Sequence, residues 1–131
     1  MKKTGLLNQP LSCVIAGMGH FDELVIADAG LPIPAGPERI DLAVSEGVPG
    51  FLSVLRAVLG ELQVQSAVIA SEMPERSPEL YAALREALSD VPIEQIPHEA
   101  FKARTAGARA VVRTGEFTPY ANVILVAGVV F

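Results

Sequence analysis

Leu24-Val25-Ile26-Ala27 is an unbroken apolar run, framed by Gly19-His20-Phe21-Asp22 on one side and Asp28-Ala29-Gly30-Leu31-Pro32-Ile33-Pro34 on the other. A short apolar run bounded by turn formers reads as a buried strand. It ends on a carboxylate and enters a stretch, residues 28 to 39, that holds three prolines and two glycines. Proline restricts the backbone, so this stretch reads as an ordered loop. Upstream, Leu11, Val14, Ile15 and Met18 recur at i, i+3, i+4 and i+7, the stripe of an amphipathic helix. Asn8 is its expected cap and Pro10 fits its first turn. Gly17 and Gly19 loosen its end and leave His20 in a tight exit. In α/β proteins, ligands gather where strands end and loops begin. An imidazole and a carboxylate therefore flank this strand where chemistry is expected.

Working outward, Ile40 to Val44 reads as a short strand, and Gly47-Val48-Pro49-Gly50 opens a helix with Phe51, Leu52, Leu55, Val58, Leu59 and Leu62 facing inward. Val64 to Ala70 is a second buried strand. Ser77-Pro78-Glu79 is a helix start, with Ser77 as cap and Leu80, Ala83, Leu84, Ala87 and Leu88 as the stripe. Val91 to Ile96 is a strand that Pro97 breaks, His98 to Ala106 a short helix, and 108–113 and 123–127 two further strands. No internal repeat, low-complexity segment or interdomain linker interrupts the series. Strands alternating with helices predict an α/β fold: a mostly parallel sheet with helices on both faces, in a single domain.

Of 131 residues, 50% are hydrophobic and 19% charged. That apolar share exceeds what a lone small domain can hide, which points to self-association. The apolar end, Val129-Val130-Phe131, points the same way, because chain ends are normally polar and frayed. Net charge is −5, and the ten basic residues are scattered. A nucleic-acid surface needs a concentrated positive patch, so such a partner is not expected, nor is an anionic membrane face. No run of ~18 apolar residues exists to span a membrane. Met1-Lys2-Lys3 is followed by no apolar signal region, since Asn8, Gln9 and Pro10 interrupt it. Cys13 is the only cysteine, so no intrachain disulfide can form, and a cytoplasmic setting is expected.

The candidates for chemistry are few. His20 has the acid–base group for neutral pH; the competing role is a helix-end histidine facing the carbonyl dipole. Asp22, just beyond it, could orient the imidazole. Asp28 can bind hydroxyl-rich ligands or merely close an Asx turn. His98 and Lys102 lie four apart on one helical face, where both can donate to sugar oxygens or form a solvated surface. Thr118-Pro119-Tyr120-Ala121-Asn122 offers a flat ring, a hydroxyl and a planar amide, a mixed donor and acceptor set suited to vicinal hydroxyls; the alternative is a simple turn. There is no phosphate-cradling glycine loop, no metal-ligand spacing among the two histidines and one cysteine, and no Gly-x-Ser-x-Gly elbow. Neither a cofactor nor a metal is expected. Cys13, within a helix, reads as inert packing.

Taken in order, these segments resemble the D-ribose pyranase family of cofactor-free sugar mutarotases, which includes the fucose mutarotases. The resemblance runs from Met1-Lys2-Lys3 and Gly5-Leu6-Leu7-Asn8 through Gly19-His20, Asp28 to Pro34, Arg39-Ile40-Asp41-Leu42 and Gly47-Val48-Pro49. It continues through His98-Glu99-Ala100-Phe101-Lys102, Arg113-Thr114-Gly115-Glu116 and Thr118 to Asn122, and ends with Ala127 to Phe131. Leu31-Pro32-Ile33-Pro34 and Pro119-Tyr120-Ala121-Asn122 favour the ribose branch. Phe21 departs from it, standing where that branch often carries a small polar residue. The resemblance implies one ribose pyranase-like domain over residues 1–131 that interconverts pyranose and furanose D-ribose and their anomers. It implies His20 as proton donor, with Asp28, His98, Tyr120 and Asn122 contacting the sugar and Ala121 contributing through its backbone. It further implies a ring-shaped homodecamer with ribose between neighbouring subunits. The general base stays open among Asp28, His98 and a bound water. The rival functions are a non-catalytic ribose-binding or regulatory subunit of ribose uptake and a fucose-type mutarotase.

Overall fold

A computed structural model of the chain describes residues 1–3 and 5–131. Helix α1 (Gln9–Gly17) starts as its sequence dictates: the Asn8 side chain accepts a hydrogen bond from the Leu11 N–H at 3.0 Å, and proline occupies the first turn. Strand β1 (Glu23–Ala27) follows, then β2 (Glu38–Asp41), helix α2 (Phe51–Leu59), β3 (Val64–Ala70), a one-turn helix α3 (Met73–Arg76), α4 (Pro78–Leu88), β4 (Ile93–Ile96), α5 (His98–Arg104), a 3-10 turn (Thr105–Gly107), β5 (Ala110–Arg113) and β6 (Val123–Ala127).

The six strands form one mixed sheet in the order β2-β5-β1-β6-β3-β4. β1 pairs parallel with β5, β5 with β2, and β3 with β4, whereas β6 runs antiparallel between β1 and β3. The expectation of a mostly parallel sheet holds for five strands, with β6 as the exception. A reversed strand in the centre brings the segment before β6 to the ends of β1 and β3, and this positions the candidate site.

Helices lie on both faces, unequally. On one face Leu24, Ile26, Ala67, Ile69, Val123 and Leu125 pack with Leu11 of α1, Phe51, Leu55 and Val58 of α2, and Leu80 and Leu84 of α4. The alternate residues Val25, Ala27, Val68, Val111 and Ile124 face Phe101 of α5 and Leu31 of the proline-rich loop. The period-two alternation thus feeds two cores, and both faces of the central strands are buried. Each fully buried Leu or Phe adds ~1.5–3 kcal/mol relative to exposure.

Two local expectations are corrected. Ser77 makes no side-chain cap for α4; its hydroxyl donates to the Pro119 carbonyl at 2.7 Å, because the unexpected turn α3 sets Ser77 at a junction. Cys13 is exposed rather than packed, since α1 turns only its Leu11 side fully into the core. Within the chain, Val129, Val130 and Phe131 are also exposed, as β6 ends before them. Among the described residues, no helix is long and apolar enough to cross a membrane.

Candidate active site

Asp28 is the first residue beyond β1, and Asn122 the last before β6. Antiparallel pairing of Ile26 with Val123 sets them side by side. Asn122 is fully buried, as expected of a polar group only when it is satisfied. Its Oδ1 accepts the Asp28 N–H at 2.9 Å and its Nδ2 donates to Asp28 Oδ2 at 2.7 Å. Asp28 Oδ1 accepts the Gly30 N–H at 2.9 Å, so the Asx turn expected of a loop aspartate is present as well. Both carboxylate oxygens are therefore fixed in direction.

Tyr120 reaches the same place through a left-handed backbone, φ 62°, with its carbonyl accepting the Asn122 N–H at 2.7 Å. This bend turns the Tyr120 ring onto His98, edge to face at 5.1 Å and 87°. Ala121, between them, is buried, and its N–H donates to the Thr118 carbonyl at 3.3 Å. His98 opens α5, and the Glu72 carboxylate accepts its N–H at 3.1 and 3.2 Å. Burial pushes the Glu72 carboxyl up, but hydrogen bonds from the His98 amide, its own amide and Ser71 outweigh it and hold it below its ordinary value. His98 Nδ1 is buried without a hydrogen-bond partner, alone in this among the described side chains. The structure thus brings Asp28, His98, Tyr120, Ala121 and Asn122 together. Lys102 shares α5, but its ammonium is paired with Glu99 at 2.7 Å on the outer surface.

A cavity of about 400 Å³ opens beside the Asp28 turn, lined by Asp28, Arg113, Glu116, Phe117 and Thr118 among others. It is a ligand-sized hollow, although the His98 and Tyr120 rings lie outside its lining. Arg113 braces its floor, with Nε donating to the Ala29 carbonyl at 3.0 Å and Nη1 to both Asp41 oxygens at 3.2 Å. Glu116 joins two elements: Oε2 accepts the Phe51 N–H at the start of α2, and Oε1 accepts the Thr118 hydroxyl at 2.8 Å. Burial raises its pKa, and the bonds from Thr118, Phe51 and Phe117 more than reverse this, leaving it below the ordinary value.

His20 lies elsewhere. It sits in the turn before β1, pinned to the far end of β6 by the Phe21 N–H on the Ala127 carbonyl (2.9 Å) and the Ala127 N–H on the Asp22 carbonyl (2.8 Å). Seven residues separate it from Asp28, the five of β1 among them, and β1 alone spans roughly 17 Å at ~3.3 Å per residue. Its ring is exposed, stacks on Phe21 at 3.8 Å and 19°, and makes a 2.7 Å hydrogen bond between Nε2 and Gln65 Oε1. Asp22 does not orient the ring: its carboxylate accepts the Gly19 N–H at 2.8 Å and faces Arg109 at 3.8 Å. Sequence reasoning missed Gln65, Glu72, Arg113 and Glu116 as supporting residues. The available signal for Gln65 was a polar residue within the apolar strand run 64–70. Glu72 follows the end of that run. Among the described residues, no cluster of His, Cys, Asp and Glu is placed to hold a metal ion.

Comparison with known proteins supplies the family. The model of the RbsD / FucU transport protein family matches residues 1–130. The chain is 57% identical, over the whole of both sequences, to the D-ribose pyranase of Coprothermobacter proteolyticus. It is 52% identical to that of Geobacillus kaustophilus, covering 100% of this chain and 96% of the relative. The solved structure of Bacillus subtilis RbsD complexed with D-ribose matches with a TM-score of 0.97 at 46% identity, covering 100% of both chains. The Streptococcus pneumoniae fucose mutarotase in complex with L-fucose matches at a TM-score of 0.81 and 27% identity, covering 95% and 94%. The chain belongs to the RbsD/FucU family.

Proposed function

We propose that this member of the RbsD/FucU family is a D-ribose pyranase, an isomerase that interconverts the pyranose and furanose forms of D-ribose, and their anomers, by opening and reclosing the sugar ring. The observation that carries the reading is identity above one half, along the entire chain, to proteins named for that activity. The much lower identity to the fucose enzyme argues against the fucose branch. The whole chain acts as one ribose pyranase-like domain.

Ring opening requires a proton delivered to the ring oxygen and one removed from the anomeric hydroxyl. The aldehyde then recloses through another hydroxyl or on its other face. The C1–ring-oxygen bond breaks and a new C1–O bond forms on reclosure, with protons shuttled and no net change of oxidation state, so the reaction as drawn requires no redox cofactor. His20 is the proton donor, and such a group contributes ~10²–10⁴-fold. Asp28, His98, Tyr120 and Asn122 bind the sugar, with Ala121 acting through its main chain. With both oxygens of Asp28 fixed by Asn122 and Gly30, its role is that of an oriented acceptor. Lys102 would have to leave Glu99 to join them.

His20 and the sugar-binding set lie at opposite ends of β1, and this supports a site completed between copies. In that arrangement His20 of one copy faces the Asp28 set of its neighbour, in the ring-shaped decamer the family resemblance implies. The exposed Leu7, Phe21, Val44, Phe117, Val130 and Phe131 supply apolar surface for such contacts. A cytoplasmic setting belongs to the same reading, given one exposed cysteine and ribose as substrate. Magnetisation-exchange NMR on ribose, with and without protein, tests the proposal. Accelerated exchange between ring forms is expected, and weaker acceleration with fucose. Ribose binding without acceleration would make the protein a binding subunit instead.

A further inference from the structure

We infer that Gln65 is a positioning residue for His20, holding its proton on Nε2 so that Nδ1 is the atom that exchanges protons with the sugar. The inference rests on the reading of His20 as the proton donor. The Gln65 amide oxygen is 2.7 Å from Nε2 and can only accept, so the neutral ring donates Nε2–H to it. Phe21 covers one ring face at 3.8 Å. One nitrogen is tied and one face is covered, which leaves the Nδ1 edge free. On ring opening the imidazolium gives its Nδ1 proton to the ring oxygen and is left as the neutral Nε2–H ring; on reclosure bare Nδ1 takes that proton back from the attacking hydroxyl.

An amide orients the ring without a charge. A carboxylate at the same place would favour the imidazolium and impede its return to the neutral form. Of the other charges at this end of the sheet, Asp22 faces Arg109, and Glu23 and Glu94 share Arg104. Gln63, the other polar side chain of β3's entry, is also uncharged. Gln65 is thus the residue that orients the His20 ring.

The test uses the full chain and ribose ring exchange by NMR as a function of pH and ribose concentration, on the wild type and on Gln65→Leu, Gln65→Glu and His20→Ala. Loss of one orienting hydrogen bond at an exposed site predicts about a three- to tenfold lower kcat for Gln65→Leu, with KM unchanged. Gln65→Glu is expected to restore most of that rate and to move the pH midpoint of activity upward by about half to one unit. Nitrogen-15 NMR of wild-type His20 is expected to find the Nε2–H tautomer. Wild-type kcat in Gln65→Leu while His20→Ala is inactive overturns the inference and leaves the proposed function standing. Equal losses in both Gln65 variants with an unmoved pH midpoint also overturn it, as does a dominant Nδ1–H tautomer in the wild type, a result that needs no variant to fold. Wild-type exchange in His20→Ala overturns the underlying reading and the inference together.

Discussion

At the C-terminal end of β1, Asn122 is fully buried and both ends of its amide bond Asp28, whereas at the N-terminal end the exposed His20 ring is held by one hydrogen bond and one stacked neighbour. The first end is built out of the core: its partners hang from paired strands, and Glu72, Arg113 and Glu116 tie the surrounding loops together. The second end is a surface turn. The difference teaches a division of labour. On the proposed reading, the groups that hold the sugar are fixed by backbone amides and buried partners, while the group that passes a proton sits where a ring can meet solvent or a neighbouring copy. It also means that damage at the two ends should look different, in rate at one and in stability and affinity at the other.

The sharpest way to break this contrast is His20→Ala. It is expected to lower ribose ring exchange by ~10²–10⁴-fold while leaving the melting temperature and much of the ribose binding intact, as NMR exchange, calorimetry and ribose titration will measure. A large drop in melting temperature would make His20 structural and erase the distinction. Next comes the chain end. Removing Val129, Val130 and Phe131 should weaken assembly by about 1.5 kcal/mol or more for each side chain an interface buries, roughly tenfold each. Light scattering and NMR exchange on the truncated protein check this together; a monomer with full activity would mean that one chain holds the whole site.

At the other end, Asn122→Ala strips two hydrogen bonds from Asp28 and leaves a part-buried amide and carboxylate oxygen unsatisfied. The expected cost is ~2 kcal/mol, about 10 °C in melting temperature for a chain of this size, with loss of ribose affinity. Unchanged stability would show that this end is no more rigid than the other. The smallest effect is Glu116→Ala, about 1 kcal/mol at neutral pH from the loss of its grip on the start of α2. Its folded-state pKa is depressed below the ordinary 4.5. Its carboxylate contribution is therefore full above pH 4.5 and disappears as pH falls through the lower folded value. Denaturant melts of wild type and variant should converge across that window; a gap that widens on acidification would contradict it.

Much of the architecture was legible because local rules and burial agree. Asn8 and Pro10 start α1 as expected, and Leu24 to Ala27, Val64 to Ala70 and Val123 to Ala127 are strands at the expected places. The candidate residues were legible as types: Asp28, His98, Tyr120 and Asn122 stood out for chemistry, and the structure pairs Asp28 with Asn122 and His98 with Tyr120. Their supports were not. Glu72 and Glu116 act on the amides of His98 and Phe51, 26 and 65 residues away in sequence. No local pattern records which distant N–H a carboxylate will find. Ser77 had the sequence of a cap, yet it bonds Pro119, because a nearby carbonyl across the fold competes with its own helix.

By itself the sequence determined where strands and helices form, which residues can pass protons or bind hydroxyls, and which family the chain resembles. These depend on side-chain chemistry and on periodicities of a few residues. Only the tertiary structure decided the direction of β6. An apolar run makes a buried strand equally well in either direction, and the choice rests on pairing with β1 and β3, far away along the chain. Running antiparallel between them, β6 carries Asn122 to Asp28 at one end and Ala127 to the His20 turn at the other. The candidate site is thereby divided across the length of a strand, a separation set by hydrogen bonds between segments that share no local sequence.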